Sequence, residues 1–344
     1  MGKKFRNKDL AARLGVSGTL VSLVLNNKAD QHGIRKDTQE KVIALARQMG
    51  YFDTLHDKEE LAPVEQKPGI IGMIVTSLND PFVVQITPLL QKAFMNIGIG
   101  FSVVSRDPDD QRYDRMTAAF RKFFSGMILV GEAADENTIR ALRNADYPFV
   151  LLEKQLKSLR HNTVCTDITV GSQLVANHVE KFGYKNIVIL TDKKLYQTDK
   201  EPVNILSDIL IQKPGVNRPV ILETDLMVLE GEPDINRIEQ FLHPPYRADT
   251  IIIMNAGLVY PVMNILRKKK LRVPIDIAVI SMEEGIGFDL VYTPVTCLRK
   301  PLPAISAKVA NMVWTEIKNA GKGRFKRQIS IQPELVVRSS CGKI

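Results

Sequence analysis

Residues 8–26, KDLAARLGVSGTLVSLVLN, read as two short helices separated by a tight turn. The first carries Leu10, Ala11 and Leu14 on one side. Gly15 and Val16 make the turn, since glycine accepts the left-handed backbone that ends a helix. Ser17 stands where a hydroxyl caps the next helix. There Leu20, Val21, Val24 and Leu25 recur at helical spacing. Gly18, Thr19, Ser22 and Asn26 face outward, with Leu23 at the edge of that face. A third helix is expected next: Asp37 and Glu40 have capping-box spacing, Val42, Leu45, Ala46 and Met49 form the stripe, and Gly50 closes it. Three such helices, with a small polar outer face on the second, have the shape that enters a DNA major groove. The alternative is a small helical cap on a larger protein.

Charge favours the first reading. Residues 1–50 hold ten Lys/Arg against four Asp/Glu, a surplus of +6 within an overall +9. A basic helical module of this kind is suited to backbone phosphates. Residues 51–67 reverse the balance, with two lysines against five acids. The chain has 344 residues, enough for two or three compact units. It has no apolar run long enough for a membrane span, and MGKKFRNKDL has no apolar stretch behind its positive charges. Three scattered cysteines, Cys165, Cys297 and Cys341, make neither a disulfide framework nor a zinc site. A cytoplasmic protein without a cofactor or metal is expected.

Residues 54–68, TLHDKEELAPVEQKP, lack an apolar period and contain two prolines, so they read as a linker. Beyond them apolar strand-like runs alternate with amphipathic helices, such as 81–96, 170–182 and 302–319. That alternation predicts parallel sheets covered on both faces, arranged as two doubly wound lobes with a cleft between them. The expected organisation is a helix-turn-helix headpiece over 1–53, a hinge over 54–68 and a two-lobed domain over 69–344. Its first lobe covers about 69–164 and 298–325, its second about 166–295 and 328–344, and the final strands return the chain to both lobes. In such sheets ligands lie beyond the carboxyl ends of the strands. Those positions hold Asn79, Asp80, Ser105, Arg106, Glu153, Asp192, Asn255 and Glu283.

The order of parts resembles the lactose-repressor/galactose-repressor family of bacterial transcription regulators. The headpiece carries the likeness in Lys8-Asp9-Leu10-Ala11, Gly15-Val16-Ser17, Val21-Ser22, Val24-Leu25-Asn26, Thr38 to Val42, and Gly50-Tyr51. Further landmarks are Leu78 to Phe82, Gly126 to Leu129, Asp167 with Gly171, Phe182 to Ile187, Val273 to Ile280, Pro294 to Pro301 and Pro333 to Ser340. The resemblance implies an all-α headpiece joined to a domain built like periplasmic sugar-binding proteins. It further implies a homodimer on a palindromic double-stranded operator, switched by a small molecule that changes the lobe angle. Mapped onto this chain, the DNA-contacting positions are Ser17, Gly18, Thr19, Ser22, Leu23, Asn26 and Thr38. The effector positions are Asn79, Asp80, Phe82, Asp167, Asn255, Glu283 and Lys300, with Tyr196 as a further stacking surface.

Several positions depart from the family pattern. Leu20 and Leu23 stand where a Thr and an Arg are common, and Gly18 offers no side chain to a base, so weaker direct readout is expected. The acidic linker replaces a hinge whose Leu wedges into the minor groove, and Leu55 and Leu61 are the candidate wedges. Five acids are unfavourable beside that groove, so either the hinge stays out of it or DNA binding is weak and salt-sensitive. In the cleft an Arg is missing after Thr191, Ala256 and Glu283 replace two aspartates, and Lys300 replaces a Gln. These changes point to a ligand other than a plain neutral hexose, or else to a degenerate, ligand-free pocket. Cys165 and Cys297 fall in two crossover segments, where the readings are small buried hydrophobes or a redox pair. No P-loop, HExxH, CxxC or GxSxG occurs, and the glycine pairs at 98/100 and 285/287 lack a third glycine, so no enzyme is expected. The resulting expectation is a repressor controlled by a small, sugar-like effector. The alternative is a ligand-binding or protein-interaction module with vestigial DNA binding.

Overall fold

Helices α1 (Asn7–Leu14), α2 (Gly18–Leu25) and α3 (Lys36–Gln48) belong to one unit, Met1–Lys67, of the computed structural model. The structure describes residues 7–25, 29, 32–48, 69–106, 119–154, 161–224, 235–319 and 327–342. The linker 54–68, Asn26, Met49 and Gly50 lie outside the described residues. Gly15 takes φ +65° after α1, and Val16 N–H donates to the Ala11 carbonyl at 3.1 Å, closing the helix end. Ser17 Oγ then accepts from Leu20 N at 3.1 Å, which is the expected cap. Leu10, Val21, Val24, Val42 and Ala46 bury together, flanked by Leu14, Leu20, Leu25 and Leu45. An isolated eight-residue helix is marginal in water, so this core holds the unit, at about 1.5–3 kcal/mol for each buried Leu or Val. The expected capping box is not made. The Arg35 carbonyl starts α3 by accepting from Thr38 N and Gln39 N, which places Asp37 inside the first turn. There its carboxylate pairs with Lys41 at 2.9 Å.

Among the described residues, the second unit, Pro68–Ile344, contains two six-stranded sheets. The first holds β1 (Ile70–Val75), β2 (Gly100–Ser105), β3 (Gly126–Val130), β4 (Phe149–Leu152) and β5 (Thr163–Thr166). The second holds β6 (Ile187–Asp192), β7 (Val220–Thr224), β8 (Thr250–Ile253), β9 (Ala278–Ser281) and β10 (Thr296–Arg299). β11 (Gln328–Ile331) joins the first sheet parallel to β5, and β12 (Glu334–Val336) joins the second antiparallel to β10. The spatial orders are β11-β5-β4-β3-β1-β2 and β12-β10-β9-β8-β6-β7.

Alternate residues of each strand feed opposite faces, and both faces are apolar. In β1, Ile71, Met73 and Val75 pack with α4 (Pro81–Met95), while Ile74 packs on the other face with α5 (Glu136–Asn144). Gly72 has no Cβ because the Phe124 ring lies 2.3 Å from where one would sit. In the second lobe Ile187 and Ile189 face α6 (Ile168–Phe182), whereas Val188 and Leu190 face the opposite core. α6 ends at Gly183, whose φ of +73° supplies the left-handed cap. Shorter helices α7 (Lys193–Thr198), α8 (Glu201–Ile211), α9 (Ile235–Leu242) and α10 (Val259–Lys268) complete the second lobe. α11 (Leu302–Lys318) returns to the first, burying Ile305, Val309 and Val313 beside α4.

β5 and β10 are short strands, and they carry Cys165 and Cys297, which the sequence reading places in crossover segments. The lobe boundary also moves: residues 328–331 pair with β5, so they belong to the first lobe, and the last crossing falls between Ile331 and Glu334. Cys165 and Cys297 therefore stand in different sheets, with Cys165 Sγ beside Thr163 Oγ1 and Cys297 Sγ accepting from Arg338. Burial pushes each thiol up to about 11, which leaves neither as a thiolate near neutrality. Among the described residues no helix is long and apolar enough to cross a membrane.

Candidate functional site

On the helical unit the outward positions are of two kinds. Ser17, Gly18 and Thr19 are exposed, and a side chain at Gly18 would meet nothing within 4 Å. Ser22, Leu23 and Thr38 are half-buried. The Ser17 oxygen is already used by the helix cap, which leaves its O–H to donate to a phosphate. Asn26 lies outside the described residues.

In the two-lobed unit the carboxyl ends of the strands enclose a cavity of about 520 Å³. The first lobe contributes Glu132, Glu153, Lys154, Thr166 and Ser330 to its lining, and the second contributes Thr191, Tyr196, Asn255 and Glu283. Of the expected effector residues, Asp167, Asn255, Glu283 and Lys300 meet here. Three do not line this cavity. Asp80 caps α4, its Oδ1 accepting from Phe82 N at 2.8 Å and Val83 N at 3.1 Å. Burial, followed by the charge of Glu283, pushes its carboxyl up. Asn79 is an exposed turn residue whose N–H donates to Ser77 Oγ at 3.2 Å. Phe82 lines a separate small pocket with Gln85, Glu284 and Leu302, because Lys300 covers its ring with Nζ 4.6 Å from the centroid.

Most polar groups in the cavity wall already have partners. Asp167 caps α6 through Val170 N at 3.0 Å and accepts from Ser330 Oγ at 3.1 Å. Asn255 Oδ1 accepts from Asp192 N at 2.9 Å, and Glu283 Oε2 accepts from Ala256 N at 3.1 Å. Glu153 has φ +56°, uncommon for a side-chain-bearing residue, and its Oε1 accepts from Thr166 N and Thr166 Oγ1 at 2.9 and 2.8 Å. Lys154 pairs with Glu132 at 2.8 Å.

Lys300 follows β10 at the crossing between lobes. Its Nζ lies 3.1 Å from Glu153 Oε2 and 3.2 Å from Glu283 Oε1, one carboxylate from each lobe. Burial works against its charge, but the two carboxylates outweigh it and raise the ammonium well above the usual lysine range. Glu153 was legible only as a strand-end residue, and the Glu132–Lys154 pair left no sequence signal. Among the described residues no cluster of His, Cys, Asp and Glu is arranged to hold a metal ion.

The family of periplasmic binding protein-like domains matches residues 176–341. Similarity also extends over almost the whole chain. The transcriptional regulator DegA of Bacillus subtilis is 22% identical, with 98% of both chains covered. The transcriptional repressor PurR of Photobacterium profundum is 22% identical over 97% of both. The solved structure of a LacI family regulator from Enterococcus faecalis with bound ribose has the same two-lobed fold. It superposes with a TM-score of 0.68 at 18% identity, covering 79% of this chain and 98% of that one. A three-helix headpiece sequence, two lobes linked by crossing strands and full-length likeness to helix-turn-helix regulators converge: the chain carries a periplasmic binding protein-like domain and is similar from end to end to helix-turn-helix transcriptional regulators.

Proposed function

We propose that this protein is a sequence-specific repressor, acting in the cytoplasm as a homodimer on an operator and controlled by a small polyhydroxyl effector in the interlobe cavity. The observation that carries the reading is a roomy cavity walled by both lobes, in a chain similar from end to end to helix-turn-helix regulators. Ribose in the Enterococcus faecalis structure supports sugar-like chemistry for the ligand. Thr166, Thr191 and the Asn255 amide offer hydroxyl and amide groups, and Tyr196 with Leu195, Met254 and Met282 offers apolar surface to the carbon skeleton. Both lysines of the lining are matched to carboxylates, and six acids line the same cavity. A negatively charged ligand therefore lacks an uncompensated cation among the described lining residues, which favours a neutral or amine-bearing compound. A ligand that touches both walls stabilises one lobe angle over another, and that difference in affinity is what a regulator transmits.

On the headpiece, α2 is the reading element. Thr19 is the exposed side chain for base edges, Leu23 offers apolar contact to a thymine methyl, and Ser17, Ser22 and Thr38 serve phosphates. Asn26 completes that set as read from the sequence. A second reading, a ligand-responsive module with vestigial DNA binding, is favoured by Gly18 and the half-buried Leu23 on the face that meets bases.

The discriminating experiment is selection of genomic fragments by the full-length protein at about 150 mM salt, where nonspecific phosphate contacts are weakened. Enrichment of one palindromic site establishes the repressor reading. Even, salt-sensitive retention with no enriched site overturns it in favour of the second.

A further inference from the structure

The space between Glu153, Glu283 and the Phe82 ring has the chemistry of a cation site. Two carboxylates converge from opposite lobes, and an aromatic face closes the third side. The site is held by bonds that do not involve its occupant. Thr166 fixes Glu153 Oε1, leaving Oε2 turned inward, and Ala256 N fixes Glu283 Oε2, leaving Oε1 turned inward. The neighbouring Glu284 is clamped by Arg299 at 2.6 and 2.8 Å, which anchors the loop carrying Glu283. The left-handed backbone at Glu153 marks local strain of the sort kept at binding sites. One flank opens to the large cavity and the other to the small pocket at Phe82, for Glu283 and Lys300 line both.

We propose that this space is a seat for a primary ammonium group, occupied by the chain's own Lys300 and open to the amine of an effector lying in the large cavity. The second half rests on the reading of that cavity as the effector site; the first half does not. Lys300 then does internally what a bridging ligand does in such a cleft: it ties one lobe to the other. An amine-bearing polyol competes with it for the same two carboxylates, and displacement of the Lys300 ammonium changes how the lobes are tied.

The test uses the full-length protein and its Lys300→Ala variant, with ethylammonium chloride as the probe. Removing one partner of a buried, paired charge is expected to lower Tm by about 6–10 °C. At about 50 mM, ethylammonium chloride is expected to restore at least half of that loss through mass action at the vacated seat. Choline chloride, too bulky to sit between the carboxylates, and sodium chloride at the same ionic strength should restore little. Equal shifts for all three salts, or the same ethylammonium shift in the unaltered protein and the variant, would overturn the seat. Should Lys300→Ala not fold, Lys300→Gln keeps N–H donors for both carboxylates while removing the charge. Facing each other without a cation, those carboxylates take up protons more readily folded than unfolded, so Tm should rise, relative to the unaltered protein, as pH falls from about 7 to 5. Identical pH profiles refute the proposal. Ethylammonium rescue without any sugar or amino-sugar binding would preserve the seat and reject the effector reading.

Discussion

The outer face of α2 and the interlobe cavity are both polar, but they hold their polarity differently. On α2 the exposed positions are small and nearly uncharged, and Gly18 leaves open space. In the cavity the carboxylates and lysines bind one another or cap their own backbone. A surface that meets a uniformly charged duplex can rely on shape and general positive charge. A surface that must choose among small molecules needs fixed groups, and fixing them spends part of their hydrogen-bonding capacity inside the protein. Binding at α2 should therefore respond strongly to added charge, whereas the cavity should respond to loss of a partner.

The sharpest way to break this contrast is Ser22→Glu, which sets a carboxylate against phosphate. A loss of about 100-fold in fragment retention at constant salt is expected, about 2.7 kcal/mol. Normal retention would mean that another face meets DNA. Next comes Glu153→Gln, which leaves Lys300 with Glu283 as its one carboxylate. A loss of about 2–3 kcal/mol is expected, read as a fall in Tm of roughly 5–8 °C; an unchanged Tm would show that the lobes are not tied there.

A smaller effect belongs to α6, behind the cavity wall. Burial, aided by Lys181, lowers the pKa of His178, whose Nε2 lies 2.9 Å from Cys341 Sγ. Because the folded value is the lower one, stability is fully present above the unfolded value of about 6.5 and is lost as pH falls toward the folded value. His178→Phe should flatten the Tm profile between about pH 6.5 and 5 by up to about 1 kcal/mol, and an unaltered slope would assign acid sensitivity elsewhere. Thr19→Ala is expected to change which bases are enriched while total affinity moves by less than about five-fold. The smallest change is Gly18→Ala, which should stabilise α2 by a few tenths of a kcal/mol, since no neighbour obstructs the added Cβ.

How much the sequence revealed follows the distance over which each feature is assembled. α1 and α2 could be read because turn, cap and apolar stripe lie within one short stretch, and the Ser17 cap forms as expected. The start of α3 differs from the capping-box reading because a backbone carbonyl, that of Arg35, takes the role that reading gives to the Asp37 side chain. β5 and β10 are not legible in the sequence because Thr163-Val164-Cys165-Thr166 and Thr296-Cys297-Leu298-Arg299 lack a long apolar run; pairing with neighbouring strands defines them. The cavity was legible as a set of strand ends. That Lys300 would cover Phe82 and join Glu153 to Glu283 was not, for it depends on three loops meeting in space.

The return of β11 and β12 bears on how the protein is made. Each sheet receives an edge strand from residues 328–336. A chain still on the ribosome at residue 327 has an unpaired edge at β5 in one lobe and at β10 in the other. Unpaired strand edges invite mispairing between chains during synthesis. The order of translation thus makes the two lobes finish together, and a transcript broken just short of Gln328 would yield two incomplete sheets rather than one sound lobe and one defective one.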